Sequence, residues 1–512
     1  MNKKIPFSQK LNNFAIIVLK VIGIALFTFM TWQALRYSVL ITPGQDEIPV
    51  TISDQIIFNI IAIVVALSLF FLISFLGKSA SLKLKRIILA ALLTCTTVFV
   101  IVAGFLWVNA YDRIPSYDQL MVYDGAKAFL AGDYSFLNKG NYFSEHPYQL
   151  GLVLIMEIIF KLTGTTYYLV FEYMNVLYAG GIVLLGYFIV KLLCDSFAAK
   201  ITYCIAMLFC TPLIAYTSWV YGEMPGVFFS LLAGFLFILY FKKRKTLWLV
   251  GILLFTIVAC LYRNVSAMIA IGMFVIAVFD FFWHKDRKLL VFSLVTVLMS
   301  FLIYKPVYAY YGQISGIKVE AELPRISWIA MGQEDEAGRG PGWYNDFPTM
   351  YHEMGWTEEE LNDYMKENLS TRLDYIKSHP AYAVDFYKRK TVSQWNEPLY
   401  ESVFFSAMSY AYSENDDVNP TLKAYTIGEK YSAVFNANNI LQLIVYLGAF
   451  LYCIFAVKRN EPLGKHVLLV TVLGGFVFSL IWESKGRYIF PYYMMLFPLA
   501  VTGFEAFIGD GN

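Results

Sequence analysis

Apolar positions in this chain come in long unbroken runs, at about 14–38, 55–76, 87–109, 224–241, 246–262, 265–283, 289–304, 434–457, 466–483 and 488–508. A helix needs roughly 17–25 such residues to cross the hydrocarbon of a bilayer, so each run predicts a membrane-spanning helix. Three more stretches, near 147–163, 168–192 and 200–217, crowd into the region 147–223. Two polar segments are long: one from Asn109 to about Glu145, the other from about Lys305 to Ser432.

The loops between runs differ in charge. Lys3, Lys4 and Lys10 stand together, as do Lys78, Lys83, Lys85 and Arg86, then Lys242, Lys243, Arg244 and Lys245. Lys285, Arg287 and Lys288, and Lys458, Arg459 and Lys465, form two weaker basic loops. They alternate with acidic ones such as that of Asp46, Glu47 and Asp54. Basic loops stay in the cytoplasm, so both termini are expected inside and both long segments outside. Sidedness on its flanks then demands an even number of crossings in 147–223. Either one stretch enters without crossing or two form one broken element. The expected fold is an all-α, polytopic transmembrane bundle of about 12 spans. It divides into an N-terminal two-span extension (1–86), a core with the first outer loop (87–304), an outer helical region (305–432) and C-terminal spans (433–512).

Within the outer region, Thr357 and Glu360 have capping-box spacing at a helix start. His379-Pro380 breaks that helix, and a second from Ala381 to about Trp395 carries Phe386, Lys390 and Trp395, as an interfacial helix would. Gly338-Arg339-Gly340-Pro341-Gly342-Trp343 is turn chemistry; no strand precedes it and no Gly-Lys-Ser helix follows, so it is not a phosphate loop.

Composition agrees with lipid as the main solvent. Hydrophobic residues make up 58% and charged residues 15%, against about 25% charged in soluble domains. A net charge of +2 without a basic stripe gives no reason to expect nucleic acid. The apolar run after Met1–Lys10 is too long for a signal peptide and reads as a retained span. Six cysteines, none in a Cys-x-x-Cys pair, suit packing better than disulfides or zinc.

Charge is expensive inside a membrane, and here it gathers at the outer ends of spans. Asp112, Arg113, Asp118, Asp124 and His146 lie in the first outer loop. Glu223 precedes one span, Arg263 separates two, and Glu483, Lys485, Arg487 and Tyr488 open the last. Singly, each has a plain alternative: a solvated carboxylate, a snorkelling arginine, an interfacial tyrosine. Together they can line one cavity that takes an amphiphile with its tail in lipid and a charged head.

The order of motifs sharpens this. Pro115-Ser116-Tyr117-Asp118 follows a span; next come Tyr123-Asp124-Gly125-Ala126, Phe129-Leu130-Ala131-Gly132-Asp133-Tyr134, and Glu145-His146-Pro147-Tyr148-Gln149-Leu150-Gly151. This series resembles the first outer loop of the GT-C glycosyltransferases, in the branch of protein O-mannosyltransferases and the lipid A aminoarabinose transferase. Arg487-Tyr488-Ile489-Phe490-Pro491 is similar to that family's Arg-Tyr-x-x-Pro entry to a late span. Trp328-Ile329-Ala330-Met331-Gly332, and Lys390 followed by Trp395, resemble bacterial members. The resemblance runs from about residue 87 to the end. His146 departs from the more usual Tyr or Pro, and the family's Asp-Glu pair reads Asp118-Gln119, so Asp118 alone carries over as the acid–base residue.

The resemblance implies transfer of a sugar, with inversion, from a polyprenyl-phosphate donor to an envelope glycan, lipid or protein acceptor on the outer face. Asp118 would be the base. Arg487, with Arg263 or Lys390, would hold the phosphate, and Glu223 and Asp124 would orient hydroxyls. His146, Tyr148, Gln149, Glu483, Lys485 and Tyr488 complete the candidate substrate-binding set. No organic cofactor is implied; a divalent cation stays open, because some GT-C relatives that modify asparagine use one. The rival readings are a flippase or transporter of lipid-linked sugars, with polar groups at the midplane, and a polysaccharide polymerase or ligase.

Overall fold

Lipid offers the backbone no hydrogen-bond partner, so an apolar run satisfies its amides within a helix. A computed structural model shows this outcome over the described residues: 7–43, 45–110, 115–320, 323–347, 350, 354–411 and 419–509. Asp112 and Arg113 lie outside them. Among the described residues, ten helices are long and apolar enough to cross a membrane. They are Gln9–Arg36, Ile56–Ser79, Leu82–Asn109, Leu169–Leu193, Glu223–Lys243, Asn264–His284, Arg287–Ser315, Tyr431–Ala456, Leu463–Ile481 and Gly486–Gly509. Phe197–Phe209 and Thr211–Ser218, bent by 58° at their junction, add an eleventh if they form one span, and Thr246–Tyr262 is apolar but shorter. The fold is the expected all-α membrane bundle.

The crowded region has a geometric resolution. Leu150–Thr163 has 14 residues and so is about 21 Å long at 1.5 Å per residue. Tyr148 at its entry is within electrostatic reach of Asp118, and Tyr168 beyond its exit donates its hydroxyl to Gln119. Asp118 and Gln119 are neighbours in the first turn of Tyr117–Leu130, so the chain leaves and returns at one end of the bundle. Leu169–Leu193 and the bent pair Phe197–Ser218 then make the two passages between ends.

The basic loops meet at the other end. Lys242 donates to the Leu192 carbonyl at 2.6 Å, Ser196 to Glu505 at 2.6 Å, and Asn13 to Asn460 at 3.0 Å. Arg244 there bridges Asp280 at 3.0 Å and Asp286 at 2.8 Å.

The first two spans are joined by a short antiparallel ribbon, Tyr37–Leu40 with Val50–Ser53, which pairs Tyr37 with Ser53. The run pattern gave no sign of it. In the outer region, Thr357 and Glu360 form the capping box that opens Glu358–Ser378, and the chain breaks at His379 before Pro380–Trp395. That second helix differs from the expected interfacial one. Every residue from Lys390 to Ala407 is buried, so its last turn dives into the mouth of the bundle instead of lying on lipid. The cause is local: the stretch carries Thr391, Ser393, Gln394, Asn396, Glu397, Glu401, Ser402 and Ser406, polar groups that find partners only inside protein. Gln394 donates to the Ser479 carbonyl at 3.3 Å, and the Trp395 indole to Ser479 Oγ at 3.1 Å.

Candidate functional site

Asp118 sits in the first turn of Tyr117–Leu130, where exposed amides favour an anion. Tyr117 before it holds φ at +52°, an uncommon left-handed turn for a bulky residue. The Asp118 side chain is 35% exposed, and its Oδ2 lies 3.5 Å from Nη2 of Arg487, which is 10% exposed. Arg487 comes from the first turn of Gly486–Gly509, 369 residues away. Its backbone N–H donates to Glu401 at 2.7 Å.

A second guanidinium faces the same aromatic wall. Arg487 lies 5.4 Å from the Tyr221 ring and 5.6 Å from that of Tyr488; Arg263 lies 4.8 Å and 5.6 Å from the same two. Arg263 is also 2.9 Å from Glu223 Oε1, both side chains being buried. The distance is short but the alignment poor, for neither Glu223 oxygen nor Arg263 Nη2 completes a hydrogen bond among the described residues. This juxtaposition depends on Gly222, at φ +98°, where a Cβ would run into the Tyr262 carbonyl next to Arg263.

Tyrosines and one histidine close the remaining side. Tyr142 and Tyr221 join hydroxyls at 2.9 Å, and Tyr488 donates to Glu483 at 2.9 Å. Tyr148 Oη is 3.5 Å from His146 Nδ1, and the His146 ring lies 4.9 Å from Tyr142 and 6.0 Å from Trp328. Burial holds the His146 imidazole below its ordinary value, more than Asp118 and Glu145 raise it. It is therefore neutral near pH 7. Burial also raises the Glu483 carboxyl, against the pull of Lys485 and Arg487.

Not every candidate joins this cluster. Asp124 is paired at 2.7 Å with Lys127, both more than a third exposed, on the outside of its helix. Gln149 is buried just before Leu150–Thr163. Lys390 is buried and donates to the Gly332 carbonyl and, at 2.8 Å, to that of Trp482. Burial pushes its ammonium down to about 7, Glu483 opposing. It pins the loop that carries Glu483 to Lys485. Gln119, next to Asp118, accepts from the Tyr168 hydroxyl and, at 3.2 Å, from the Val220 amide. Two donors on a buried oxygen need no charge.

Sequence reasoning missed Glu47, Glu397, Glu401, Tyr142 and Tyr221. Glu47 pairs with Lys485. Glu397 accepts from the amides of Leu399 at 3.0 Å and Glu401 at 2.6 Å. Glu397 and Glu401, four apart beside an aromatic-rich run, carried a signal; Glu47, in a loop between spans, carried none. Among the described residues no group of three or more His, Cys, Asp or Glu side chains could hold a metal ion.

A carboxylate about one-third exposed, two arginines on shared rings and the buried Lys485 suit an anionic head with a reacting hydroxyl beside it. A family model described as conserved hypothetical integral membrane protein matches residues 7–506. No curated protein matches the chain.

Proposed function

The chain belongs to this family of conserved hypothetical integral membrane proteins, and from that premise we propose that it is a GT-C-like glycosyltransferase. It moves a sugar from a polyprenyl-phosphate donor to an envelope glycan, lipid or protein on the extracytoplasmic face. Both termini are cytoplasmic in this reading, since the basic loops meet at the end opposite the site. The observation that carries it is the Asp118–Arg487 approach at 3.5 Å: a base and a phosphate-binding cation brought together from two distant outer segments.

In this mechanism the acceptor hydroxyl attacks the anomeric carbon from the face opposite the phosphate. Asp118 takes its proton, a role typically worth about 10²–10⁴-fold. The bond from anomeric carbon to phosphate oxygen breaks, and polyprenyl phosphate leaves with the electron pair. Arg487 and Arg263 meet the charge that grows on it, and the configuration inverts. Glu223 orients a hydroxyl with oxygens that lack a hydrogen bond among the described residues.

The test is turnover of a panel of radiolabelled polyprenyl-phosphate hexoses and pentoses by membranes containing the chain. Envelope glycans are compared by mass spectrometry with and without the gene. Arg487→Ala should abolish turnover and Arg487→Lys restore part of it, because charge survives but the planar fork does not. Unaltered glycans together with no turnover of any donor would sink the proposal.

A further inference from the structure

Glu47 reaches the site from the ribbon between the first two helices. Ser38 closes that ribbon on Asp54 at 2.8 Å, and two bonds tie it to the bundle: Val39 N–H to the Asn396 carbonyl at 2.9 Å and Asn439 to Asp54 at 2.7 Å. The Glu47 carboxyl, 24% exposed, pairs with Lys485, which is 5% exposed. Beside it lies Glu401, 1% exposed. Tyr400 and Glu401 both hold left-handed φ, +49° and +61°, a conformation non-glycine residues rarely adopt. Tyr216 fixes the strained turn by donating to the Tyr400 carbonyl, and Gln442 by donating to the Tyr400 hydroxyl at 2.7 Å. The turn aims Glu401 at the Arg487 amide and at Glu47.

The two carboxyls lie near enough for each to act on the other electrostatically. Oε1 of Glu47 and Oε1 of Glu401 are both buried and have no hydrogen-bond partner among the described residues. Two ionised carboxylates have only acceptors, so one proton held between them is what would satisfy both orphaned oxygens. We propose that Glu47 and Glu401 share one proton and act together as the positioning pair for Lys485 and Arg487. The ribbon of the N-terminal spans thereby sets the grip of the site on a phosphate. The phosphate part rests on the function proposed above; the shared proton does not.

The charges facing the pair are Lys485 and Arg487, with Glu483 behind Glu47; Glu397 accepts from the Glu401 amide. Burial raises the Glu401 carboxyl and Glu47 raises it further, against Lys485 and Arg487. Burial would raise Glu47 too, but Lys485, the contact with Glu401 and Arg487 together hold it below its ordinary value. Such a pair titrates as a unit in two macroscopic steps, Glu401 holding its proton above the ordinary carboxyl range.

Infrared spectroscopy of the purified full-length chain in detergent tests the proton directly. The difference spectrum of wild type minus Glu401→Gln at neutral pH should contain the carbonyl band of a protonated carboxylic acid. A difference spectrum without that band overturns the shared proton. Affinity for farnesyl phosphate, used as the probe, tests the positioning. Glu47→Gln should weaken it about tenfold or more, the loss of one charge-assisted contact. Wild-type affinity should fall as the pair loses its proton above neutral pH, whereas Glu401→Gln, whose amide keeps a donor in place, should not follow that fall. Unchanged affinity in Glu47→Gln overturns the positioning role. A wild-type chain that binds no farnesyl phosphate overturns that role together with the function it rests on, and the infrared result decides the proton by itself.

Discussion

Asp118 and Asp124 share one helix and one charge, yet their surroundings separate them. Asp118 faces Arg487, while Asp124 is spent on an exposed pair with Lys127. Asp118→Asn keeps the shape but accepts no proton, so sugar transfer should fall by about two orders of magnitude or more. Asp124→Asn should cost far less in the same membrane assay, and equal activity of the two variants would exclude Asp118 as the base. Glu397 gives a pH prediction. Burial pushes its carboxyl up to about 8, against two amide hydrogen bonds. An acid raised in the folded state binds its proton more tightly there than in the unfolded chain. Stability therefore falls as pH rises from the unfolded value near 4.5 to about 8, by roughly 1.4 kcal/mol for each pH unit in between. Glu397→Gln should flatten that decline in thermal unfolding of the detergent-purified chain; an unaltered pH slope would count against a buried, protonated Glu397.

Among the elements, the turn 338–343 holds the site from the outside. The Gly342 carbonyl accepts from the Ser484 amide at 2.7 Å, the Pro341 carbonyl accepts from Ser484 Oγ at 2.9 Å, and Trp343 donates to Ser393 at 2.9 Å. Gly342 has φ +73°, and a Cβ there would stand 2.6 Å from the Gly332 carbonyl, 2.9 Å from Lys390 Nζ and 3.0 Å from Ser484 Oγ. Gly342→Ala should thus lower the unfolding temperature, by the equivalent of about 1–3 kcal/mol, and weaken donor binding with it. A variant as stable as wild type would show that the loop yields without loss. The turn itself was legible in its Gly and Pro spacing, as was the helix start at Thr357, since capping and turn chemistry act over a few residues. The burial of Lys390–Ala407 was not legible. A run of mixed polar and aromatic residues suits a lipid interface or a protein interior, and only its neighbours choose.

For the molecule as a whole, the alternation of basic loops predicts a topology that chemistry can check. Lys377→Cys, near the exposed end of an outer helix, should react with an impermeant thiol reagent in intact cells, and Lys243→Cys only after permeabilisation. Labelling of the second in intact cells would invert the bundle and move the site to the cytoplasm. The sequence by itself determined that the protein is a helical membrane bundle, because runs of apolar residues leave the backbone in lipid no other partner. It also marked out Asp118, Glu223, Arg263, Glu483, Lys485 and Arg487, since ionisable residues at span ends stand out against an apolar background. Only the tertiary structure decided that Leu150–Thr163 returns to the end it left, because length and hydropathy do not record where a helix points. Only it could bring Glu47 onto Lys485 across 438 positions, or turn Glu401 inward through two left-handed residues. Contacts of that kind are fixed by the packing of distant helices, and no local pattern in the chain encodes them.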